Sequence, residues 1–293
     1  MDMQSSTNSK KIVLITGCSS GIGAALAREF LAQGFHVIAT ARRVDALSEL
    51  TALGATTIAL DVGNDDSVER AKEAVATLTG GKLDILINNA GMSEGHSPGS
   101  DIAIPNVQAM FNTNVFGPMR MVKAFTPMLV AAGDGRIANL GSVTGTMAYP
   151  FASVYASTKG SLHSWNDAIR VELAPLGIKV INLCTGGVKT NIASQAPPRV
   201  LPEDSFYKSI EQQILKIRRE TVESDAMPAA DYAKQVVAAV TRKQPPLWLW
   251  AGTSSWKIWF ITTFMPRWFM DVTWTKRFGL AALSERVALK KVL

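Results

Sequence analysis

Tyr155 and Lys159 are the residues in this 293-residue chain whose types and spacing best suit chemistry. On a helix, residues four apart lie on the same face. A free tyrosine has a pKa of about 10, and a nearby ammonium favours the phenolate, so we expect Lys159 to lower the pKa of the phenol. The pair predicts a proton donor, while the alternative at this spacing is surface packing on an exposed helix.

A glycine-rich segment near the amino end predicts a nucleotide site. It reads TGCSSGIG at positions 16–23, follows the β-branched run KIVLIT at 11–16, and precedes apolar residues at helical spacing. Between a strand and a helix, such glycines let the backbone approach a pyrophosphate at the positive helix end. An ordinary glycine turn is the alternative, and the strand-turn-helix context favours the nucleotide. The predicted contacts are Gly17, Ser19, Ser20, Gly21, Ile22 and Gly23.

The end of the second predicted strand indicates which dinucleotide is bound. Folds that select NAD place a carboxylate there for the ribose 2′-hydroxyl, whereas this chain has Arg42 and Arg43 and no acid. Guanidinium groups suit a 2′-phosphate, so NADP(H) is the predicted cofactor. Arg42 is the preferred contact, and Arg43 is equally suited to solvating the start of a helix.

Two later strand ends predict further cofactor contacts. Asp61 and Val62 follow the third predicted strand and suit the adenine end. Asn89, Ala90 and Gly91 follow the fourth and suit the ribose next to the nicotinamide. Plain turn chemistry is the alternative at both places.

The elements that must position these residues alternate between strands and helices. Strand-like runs lie at 11–16, 35–41, 57–60, 83–88, 136–140 and 179–183, with helix-like segments between them. This alternation predicts an α/β fold with a doubly wound parallel sheet and helices on both faces. A charged helix is also predicted from about 203 to 224, and the pair Pro245-Pro246 is interpreted as the end of the globular part.

Composition bounds the organisation of the chain. Its 47% hydrophobic content suits one large domain, predicted at 11–243, after a polar disordered tail at 1–10 and before an extension at 244–293. The tail has no apolar run, so it is not a secretory signal, and Cys18 and Cys184 form no disulfide framework. The cytoplasm is therefore the predicted compartment.

Charge and histidine spacing exclude two classes of function. The net charge is +6, but residues 245–293 hold seven Lys or Arg against two acids. The body of the chain is therefore nearly neutral, and no nucleic-acid partner is predicted. The three histidines show no ligand spacing with each other or with the cysteines, so we predict no metal and expect satisfied or solvent-facing side chains.

Together these motifs resemble the short-chain dehydrogenase/reductase family over residues 11 to about 243. The matching segments are TGCSSGIG at 16, DV at 61, NNAG at 88, Asn114, Ser142 and YASTK at 155. The resemblance implies a Rossmann fold and an NADP(H)-dependent oxidoreductase with Asn114, Ser142, Tyr155 and Lys159 as its catalytic residues. It implies that Ser142 polarises a carbonyl, Tyr155 protonates the alkoxide, Lys159 also holds the nicotinamide ribose, and Asn114 anchors a relay water.

One loop departs from the family pattern. After the sixth predicted strand the chain has Thr185-Gly186 where members usually have Pro-Gly, yet Val188 and Thr190 match the contacts to the nicotinamide carboxamide. Thr190 can alternatively cap a helix. The chain most resembles fungal NADPH-dependent 1-acyldihydroxyacetone phosphate reductases and hydroxysteroid-dehydrogenase-like members. Two alternatives stay open: a specialised-metabolism ketoreductase acting on a polyketide- or steroid-like ketone, and a non-catalytic nucleotide-binding scaffold, against which the complete catalytic set argues.

The extension is rich in tryptophan and basic residues. Six of the seven tryptophans fall between positions 248 and 274, interleaved with lysine and arginine. The stretch 247–266 has the length of a membrane span, but Lys257 lies at its centre, where a charge costs about 2.5–3.5 kcal/mol. We therefore predict peripheral contact of residues 247–277 with the endoplasmic reticulum or lipid droplets, and a bulky, lipophilic carbonyl substrate. A lid over the active-site cleft or a contact in a homo-oligomer is the alternative.

Overall fold

The computed structural model describes residues 10–93, 97–190, 200–223, 225–281 and 283. The predicted tail, except Lys10, and the end of the extension lie outside the described residues. Seven strands form one sheet in the order β3-β2-β1-β4-β5-β6-β7, and every neighbouring pair is parallel. The strands are β1 Ile12–Ile15, β2 His36–Ala41, β3 Thr56–Ala59, β4 Ile85–Asn88, β5 Arg136–Leu140, β6 Lys179–Thr185 and β7 Trp248–Ala251.

Helices cover both faces of the sheet, which confirms the predicted doubly wound α/β fold. Residues of α1 and α8 pack on one face, and residues of α3 and α5 pack on the other, in two separate apolar clusters. Within the described residues the α-helices are α1 Gly21–Ala32, α2 Ser48–Ala52, α3 Asp65–Thr79, α4 Ile104–Phe111, α5 Gly117–Ala131, α6 Ser153–Leu173, α7 Glu211–Glu223, α8 Ala229–Val240, α9 Ser255–Phe264 and α10 Arg267–Arg277.

Helix α3 shows how local sequence sets the bounds of an element. The Asn64 side chain accepts the backbone N–H of Ser67 at 2.8 Å, and Asp65 and Asp66 stand at the positive end of the helix dipole. Gly80 ends the helix with a left-handed φ of 62°, a conformation that glycine adopts without strain. Three of its residues, Val68, Ala71 and Val75, are buried against the sheet.

The order of the strands fixes where a ligand can enter. The chain moves outward from β1 to β3 and then crosses back to β4 on the other side of β1. Loops that leave the carboxyl ends of β1 and β4 therefore diverge and leave a crevice between them. The glycine-rich segment follows β1, and the NNAG segment begins at the end of β4, so both predicted cofactor segments border this crevice.

Strand β7 corrects the predicted start of the extension. Trp248 to Ala251 pair in register with Asn182 to Thr185 of β6 and form one edge of the sheet. The prediction that Pro245-Pro246 closes the globular part is therefore wrong. The run WLWA has the aromatic and apolar side chains that suit a half-buried strand, and the same side chains made it look like part of the tail.

The rest of the described extension consists of two helices of different character. Helix α9 buries only Ser255 and exposes its aromatic residues, whereas α10 leads into a small third apolar cluster. That cluster joins Phe278 to Phe151 and to two isoleucines of α7, with Trp274 and Tyr149 at its margin. The helix predicted from about 203 to 224 begins later than expected, with a 3-10 turn at Lys208–Ile210 before α7.

Candidate active site

A cleft of about 380 Å³ opens at the carboxyl end of the sheet and brings most of the predicted site residues together. Ser142, Tyr155 and Lys159 line it together with every predicted cofactor contact except Arg43. Asn114 lies behind its wall and is 1% exposed. Sequence reasoning missed several lining residues, most of which directly follow or end a strand: Ala41, Leu60, Met92, Thr113, Leu140, Gly141, Thr185 and Gly186.

The glycine turn is shaped for close backbone contact. Gly17 and Gly21 have φ values of 74° and 58°, which favour glycine. A Cβ on Gly23 would lie 2.3 Å from the Gly17 carbonyl oxygen and 2.5 Å from Asn89 Nδ2, so no side chain fits there. The first turn of α1 carries no acidic residue, which leaves the positive end of the helix to attract an anion.

The NNAG segment holds this turn in place. Asn89 Nδ2 donates to the carbonyl oxygens of Thr16 and Gly17 at 2.8 and 3.0 Å. Thr16 Oγ1 accepts the backbone N–H groups of Asn89 and Ala90 at 3.0 and 2.9 Å. These bonds tie the ends of β1 and β4 together, so the Asn89 amide supports the cleft wall in addition to lining it.

The two arginines after β2 have different surroundings. Arg42 is exposed and lines the cleft, whereas Arg43 stands at the start of the 3-10 turn Val44–Leu47. The position of Arg43 matches the alternative that it solvates the start of a helix. Asp61 lines the cleft and also accepts the N–H of Gly63 at 2.9 Å, so its carboxylate stabilises a turn.

Ser142, Tyr155 and Lys159 converge from β5 and α6. Ser142 Oγ accepts the N–H and the hydroxyl of Thr144 at 3.2 and 2.9 Å, so its own proton is available to another acceptor. Lys159 Nζ donates to the carbonyl oxygen of Leu140 at 2.6 Å and lies 5.8 Å from the centre of the Tyr155 ring. The end of β5 and the first two turns of α6 therefore bring the serine hydroxyl, the phenol and the ammonium group together at the cleft.

Burial controls the proton affinities of this group. It raises the pKa of Tyr155 to about 12, with a smaller contribution from nearby Tyr149, and a hydrogen bond with Ser142 offsets part of the rise. Burial also lowers the pKa of Lys159 to about 8. The sequence predicted that Lys159 would lower the pKa of the phenol, whereas the pKa of Tyr155 is raised, chiefly by burial. Tyr155 is a protonated phenol at neutral pH, which is the form that a proton donor requires.

Asn114 joins two parts of the site through its side chain. It lies in a π-helical turn, Asn112–Phe116, between α4 and α5. Its Oδ1 accepts the N–H of Met92 at 2.8 Å, and its Nδ2 donates to the Met92 carbonyl and to Thr158 Oγ1 at 2.9 and 3.1 Å. This amide fixes the chain after NNAG against α6, next to Lys159. The relay water implied by the family resemblance stays a prediction.

The loop after β6 lies over the glycine turn. A Cβ on Gly21 would meet the side chain of Thr190 at 3.3 Å, and Val188 forms a bridge with Met227. Thr185 stands where the family usually has proline, and at Gly186, the glycine of that pair, a Cβ would lie 2.4 Å from the Thr253 carbonyl oxygen. The missing proline is thus compensated by packing of this loop against the chain that follows β7.

Aromatic residues that do not line the cleft pack next to Tyr155 and form what we call the aromatic side of the site. Trp274 of α10 lies 6.1 Å from Tyr149, and Phe278 lies 5.1 Å from Phe151, measured between ring centres. Phe151 has a φ of 66°, which is strained for a bulky residue, and its carbonyl accepts the N–H of Ser97 at 2.7 Å. The described part of the extension therefore packs against the loop that leads into Tyr155.

A doubly wound parallel sheet with a glycine turn on its first helix and a serine, tyrosine and lysine at its crevice defines a dinucleotide-dependent oxidoreductase. The comparison with known families gives the particular family. A family model for short chain dehydrogenase matches residues 11–200, so the chain belongs to that family. The chain is therefore an oxidoreductase of alcohol and carbonyl groups that uses a nicotinamide dinucleotide, which confirms the predicted enzyme class.

Relatives and solved structures cover nearly the whole chain. The short-chain dehydrogenase srdE of Neurospora crassa is 40% identical over 286 residues, covering 97% of this chain and 98% of its own length. The NADPH-dependent 1-acyldihydroxyacetone phosphate reductase of Saccharomyces cerevisiae is 33% identical and covers 96% of both chains. A crystal structure of a short-chain dehydrogenase from Streptomyces avermitilis superposes with a TM-score of 0.78 at 28% identity, covering 94% of this chain and 99% of its own.

Proposed function

We propose that this protein is an NADPH-dependent carbonyl reductase that converts a bulky, lipophilic ketone to a secondary alcohol. The convergence of Ser142, Tyr155 and Lys159 on the cleft beside the glycine turn carries the proposal. NADPH, when bound, supplies the hydride that reduces the carbonyl carbon. The residues of the chain then have to orient the ketone, stabilise the developing oxyanion and deliver a proton.

The hydrogen bonds of the site suit these roles. Ser142 Oγ already accepts two bonds from Thr144, so its hydroxyl proton can be donated to the substrate oxygen. Tyr155 holds its proton at neutral pH and can release it to an alkoxide, which is far more basic than the phenol. Lys159 is charged below pH 8 and stabilises the phenolate that remains. The alternative of a non-catalytic scaffold gives no reason for this arrangement.

Tyr155→Phe tests the proton donor. We expect kcat to fall by about 10²–10⁴-fold, because the variant keeps the ring and loses the acid. The dissociation constant of NADPH, measured by fluorescence titration, should stay nearly unchanged. Tyr207→Phe is the matched control, since Tyr207 packs against Phe151 and has no assigned part in proton transfer. Normal turnover in Tyr155→Phe would remove the assigned acid.

The preference for NADPH over NADH rests on Arg42. It is exposed at the cleft, where its guanidinium can meet a 2′-phosphate, and no acid stands at the end of β2 to hold a 2′-hydroxyl. Arg42→Asp should lower the ratio of kcat/KM for NADPH to that for NADH by about 10- to 100-fold. Arg43→Asp makes the same charge change one residue away, outside the cleft, and should leave the ratio nearly unchanged. Equal ratios in both variants would mean that Arg42 does not read the phosphate.

The aromatic side of the site supports a lipophilic substrate. Tyr149, beside Tyr155, packs against Trp274. Burial raises the pKa of Tyr149, and Arg277 is near enough to offset part of that rise. A ketone with an apolar chain and a phosphate, such as 1-acyldihydroxyacetone phosphate, would find both an apolar wall and a cation here. A polyketide- or steroid-like ketone would use the wall alone, and it remains the second candidate.

Two substitutions separate these candidates. Trp274→Ala should raise KM for either bulky ketone, because it removes the apolar wall. Arg277→Gln should raise KM for 1-acyldihydroxyacetone phosphate and leave KM for a steroid ketone unchanged, because only the phosphate needs the charge. Turnover of neutral ketones alone, with no effect of Arg277→Gln, would favour the specialised-metabolism ketoreductase.

We also propose that the protein lies on an anionic lipid surface through α9. Trp256, Trp259, Phe260 and Phe264 are 65%, 44%, 50% and 61% exposed, and their spacing of three and four residues places them along one face of the helix. Ten residues span only about 15 Å, half of a bilayer core, and no helix in the described ranges is long and apolar enough to cross.

The basic residues of the extension favour the same surface. Lys257 lies among the exposed aromatic residues, and Arg267 begins the next helix, so cations accompany the apolar side chains as they do in interfacial segments. In the cell, this surface would be that of the endoplasmic reticulum or of lipid droplets. Peripheral contact would also place the aromatic side of the active site near a supply of lipophilic ketone.

Exposed residues allow a lipid test that preserves the fold. Removing the chain after β6 would delete β7, so the variant Trp256→Ser with Phe260→Ser is preferable. The wild-type protein should float with phosphatidylserine-containing vesicles, and the variant should not. The control is Leu53→Ser with Val171→Ser, which should still float. Leu53 directly follows α2, Val171 lies on α6, and both side chains are exposed. Equal flotation of all three proteins would contradict lipid contact. A lower molecular mass of the first variant alone, measured without lipid, would also contradict it, because it would show that α9 forms a contact between protein copies.

A further inference from the structure

A row of asparagines crosses the centre of the sheet behind the active site. Asn88, Asn139 and Asn182 occupy matching positions on β4, β5 and β6, and all three are at most 3% exposed. Asn88 Nδ2 donates to Asn139 Oδ1 at 2.8 Å, and Asn139 Nδ2 donates to Asn166 Oδ1 of α6 at 2.7 Å. Amides are costly in a protein interior unless they are bonded, so this row is unusual beneath an apolar sheet face.

His163 connects the same helix to Ser142. It lies one turn before Asn166 on α6 and is 4% exposed. Its Nε2 stands 3.2 Å from the backbone nitrogen of Ser142 and accepts that N–H. Because Nε2 is the acceptor, the proton of the neutral ring resides on Nδ1.

The packing around the imidazole leaves it little freedom. A Cβ on Gly141 would lie 2.2 Å from His163 Nε2 and 2.9 Å from Asn182 Oδ1, so the backbone before Ser142 rests directly on the ring. On the other side, the indole of Trp248 meets the ring edge-on at 4.8 Å, and its own N–H donates to Asp167 Oδ1 at 2.9 Å. Strand β7 therefore closes the space behind His163.

Several polar atoms of this group have no partner among the described protein atoms. They are His163 Nδ1, Asn166 Nδ2 and both amide atoms of Asn182. Buried donors and acceptors of this kind are commonly bridged by internal water, which would join the imidazole to the asparagine row. The ring is thus held between the sheet, Trp248 and the Ser142 backbone.

We propose that His163 is a positioning residue that fixes the Ser142 backbone, and through it the direction in which the Ser142 hydroxyl faces the substrate oxygen. This inference rests on the carbonyl reduction proposed above. It assigns no proton transfer to His163, which touches neither the substrate nor the cofactor segments. A displacement of a catalytic group by about 1 Å can cost about 10²-fold in rate, so the Ser142 N–H to imidazole bond can affect turnover without affecting cofactor binding.

Two substitutions separate the hydrogen bond from the volume of the ring. Glutamine at this place can offer Oε1 near the position of Nε2, whereas leucine fills space and accepts nothing. We expect His163→Leu to lower kcat by about 10- to 100-fold with an unchanged dissociation constant for NADPH, and His163→Gln to restore kcat to within about fivefold of the wild type. Equal loss in both variants, or a parallel loss of NADPH binding, would overturn the positioning role.

A double-mutant cycle tests whether His163 acts through Ser142. In a Ser142→Ala background, His163→Leu should lower kcat no further, because the hydroxyl that it positions is already gone. Independent, multiplicative losses would show that His163 acts in some other way.

A measurement on the wild-type protein keeps the inference testable if a variant does not fold. In ¹⁵N-histidine-labelled protein at pH 7, the His163 ring should show a protonated Nδ1 and an unprotonated Nε2. A protonated Nε2 would refute the bond to Ser142. This result is independent of activity, so it separates a failure of this inference from a failure of the proposed reaction.

Discussion

Lys159→Met measures what burial of the ammonium costs the fold. In the folded chain, burial lowers the pKa of Lys159 from 10.5 to about 8. This difference corresponds to about 3 kcal/mol of destabilisation whenever the amine is charged. Methionine has a similar length and no charge, but it loses the 2.6 Å donation to Leu140, which contributes about 1 kcal/mol. The variant should therefore be more stable than the wild type by about 2 kcal/mol at pH 7, although it should be inactive.

The pH dependence gives the sharper test. Between pH 8 and 10.5 the unfolded chain holds the lysine proton and the folded chain does not, so wild-type stability gains from this group as pH rises. Below pH 8 both states are charged and the destabilisation is constant. The variant lacks this contribution, so its stability advantage should fall by about 2–3 kcal/mol between pH 7 and pH 10.

Urea unfolding of the cofactor-free proteins at the two pH values measures this advantage. Tyrosines and cysteines also titrate in this range, but they are common to both proteins and cancel in the difference. A variant less stable than the wild type at pH 7 would refute the reasoning. A stability difference that does not change with pH would do the same.

Two further predictions concern the cofactor turn and the pH profile of turnover. Gly23→Ala should destabilise the fold by about 1–3 kcal/mol and abolish NADPH binding, because the new Cβ would lie 2.3 Å from the Gly17 oxygen. Urea unfolding measures the stability, and calorimetry measures the binding. Retained binding would show that the turn can relax. The kcat of ketone reduction should fall as pH rises through about 8, where Lys159 loses its charge while Tyr155 stays protonated; a rate that stays constant to pH 10 would contradict the role of that charge.

Sequence periodicity was sufficient for most of the fold. The six predicted strands all occur, because buried parallel strands are short, continuous apolar runs that end at recognisable turn residues. Strand β7 was missed because its aromatic side chains resemble those of the extension, and only pairing with β6 distinguishes them. Long-range pairing of this kind leaves no local signal.

The candidate site was predictable to a similar degree. Residues at the carboxyl ends of parallel strands lie together by topology, so Ser142 and the glycine turn could be placed from the sequence. The hydrogen-bond partners and the burial of individual side chains could not be predicted from the sequence. The amide of Asn89 is bonded to the glycine turn, and the pKa of Tyr155 is raised by burial, which depends on the whole fold. His163 lies eight residues after Tyr155, two turns along one helix face, and that spacing was the available signal for its place behind Ser142.

The short connection after β7 limits how the enzyme can approach a bilayer. Only Gly252, Thr253 and Ser254 separate the last residue of this edge strand from α9. Gly187 and Thr253 exchange two backbone hydrogen bonds at 2.9 Å, and the N–H of Gly186 donates to the carbonyl of Ala251 just before this connection. The helix is therefore rigidly mounted on the sheet and cannot swing as a tethered anchor would. If α9 enters a lipid surface as proposed above, this rigid connection would make the molecule present the same face to the headgroups each time, so that docking would select a single orientation.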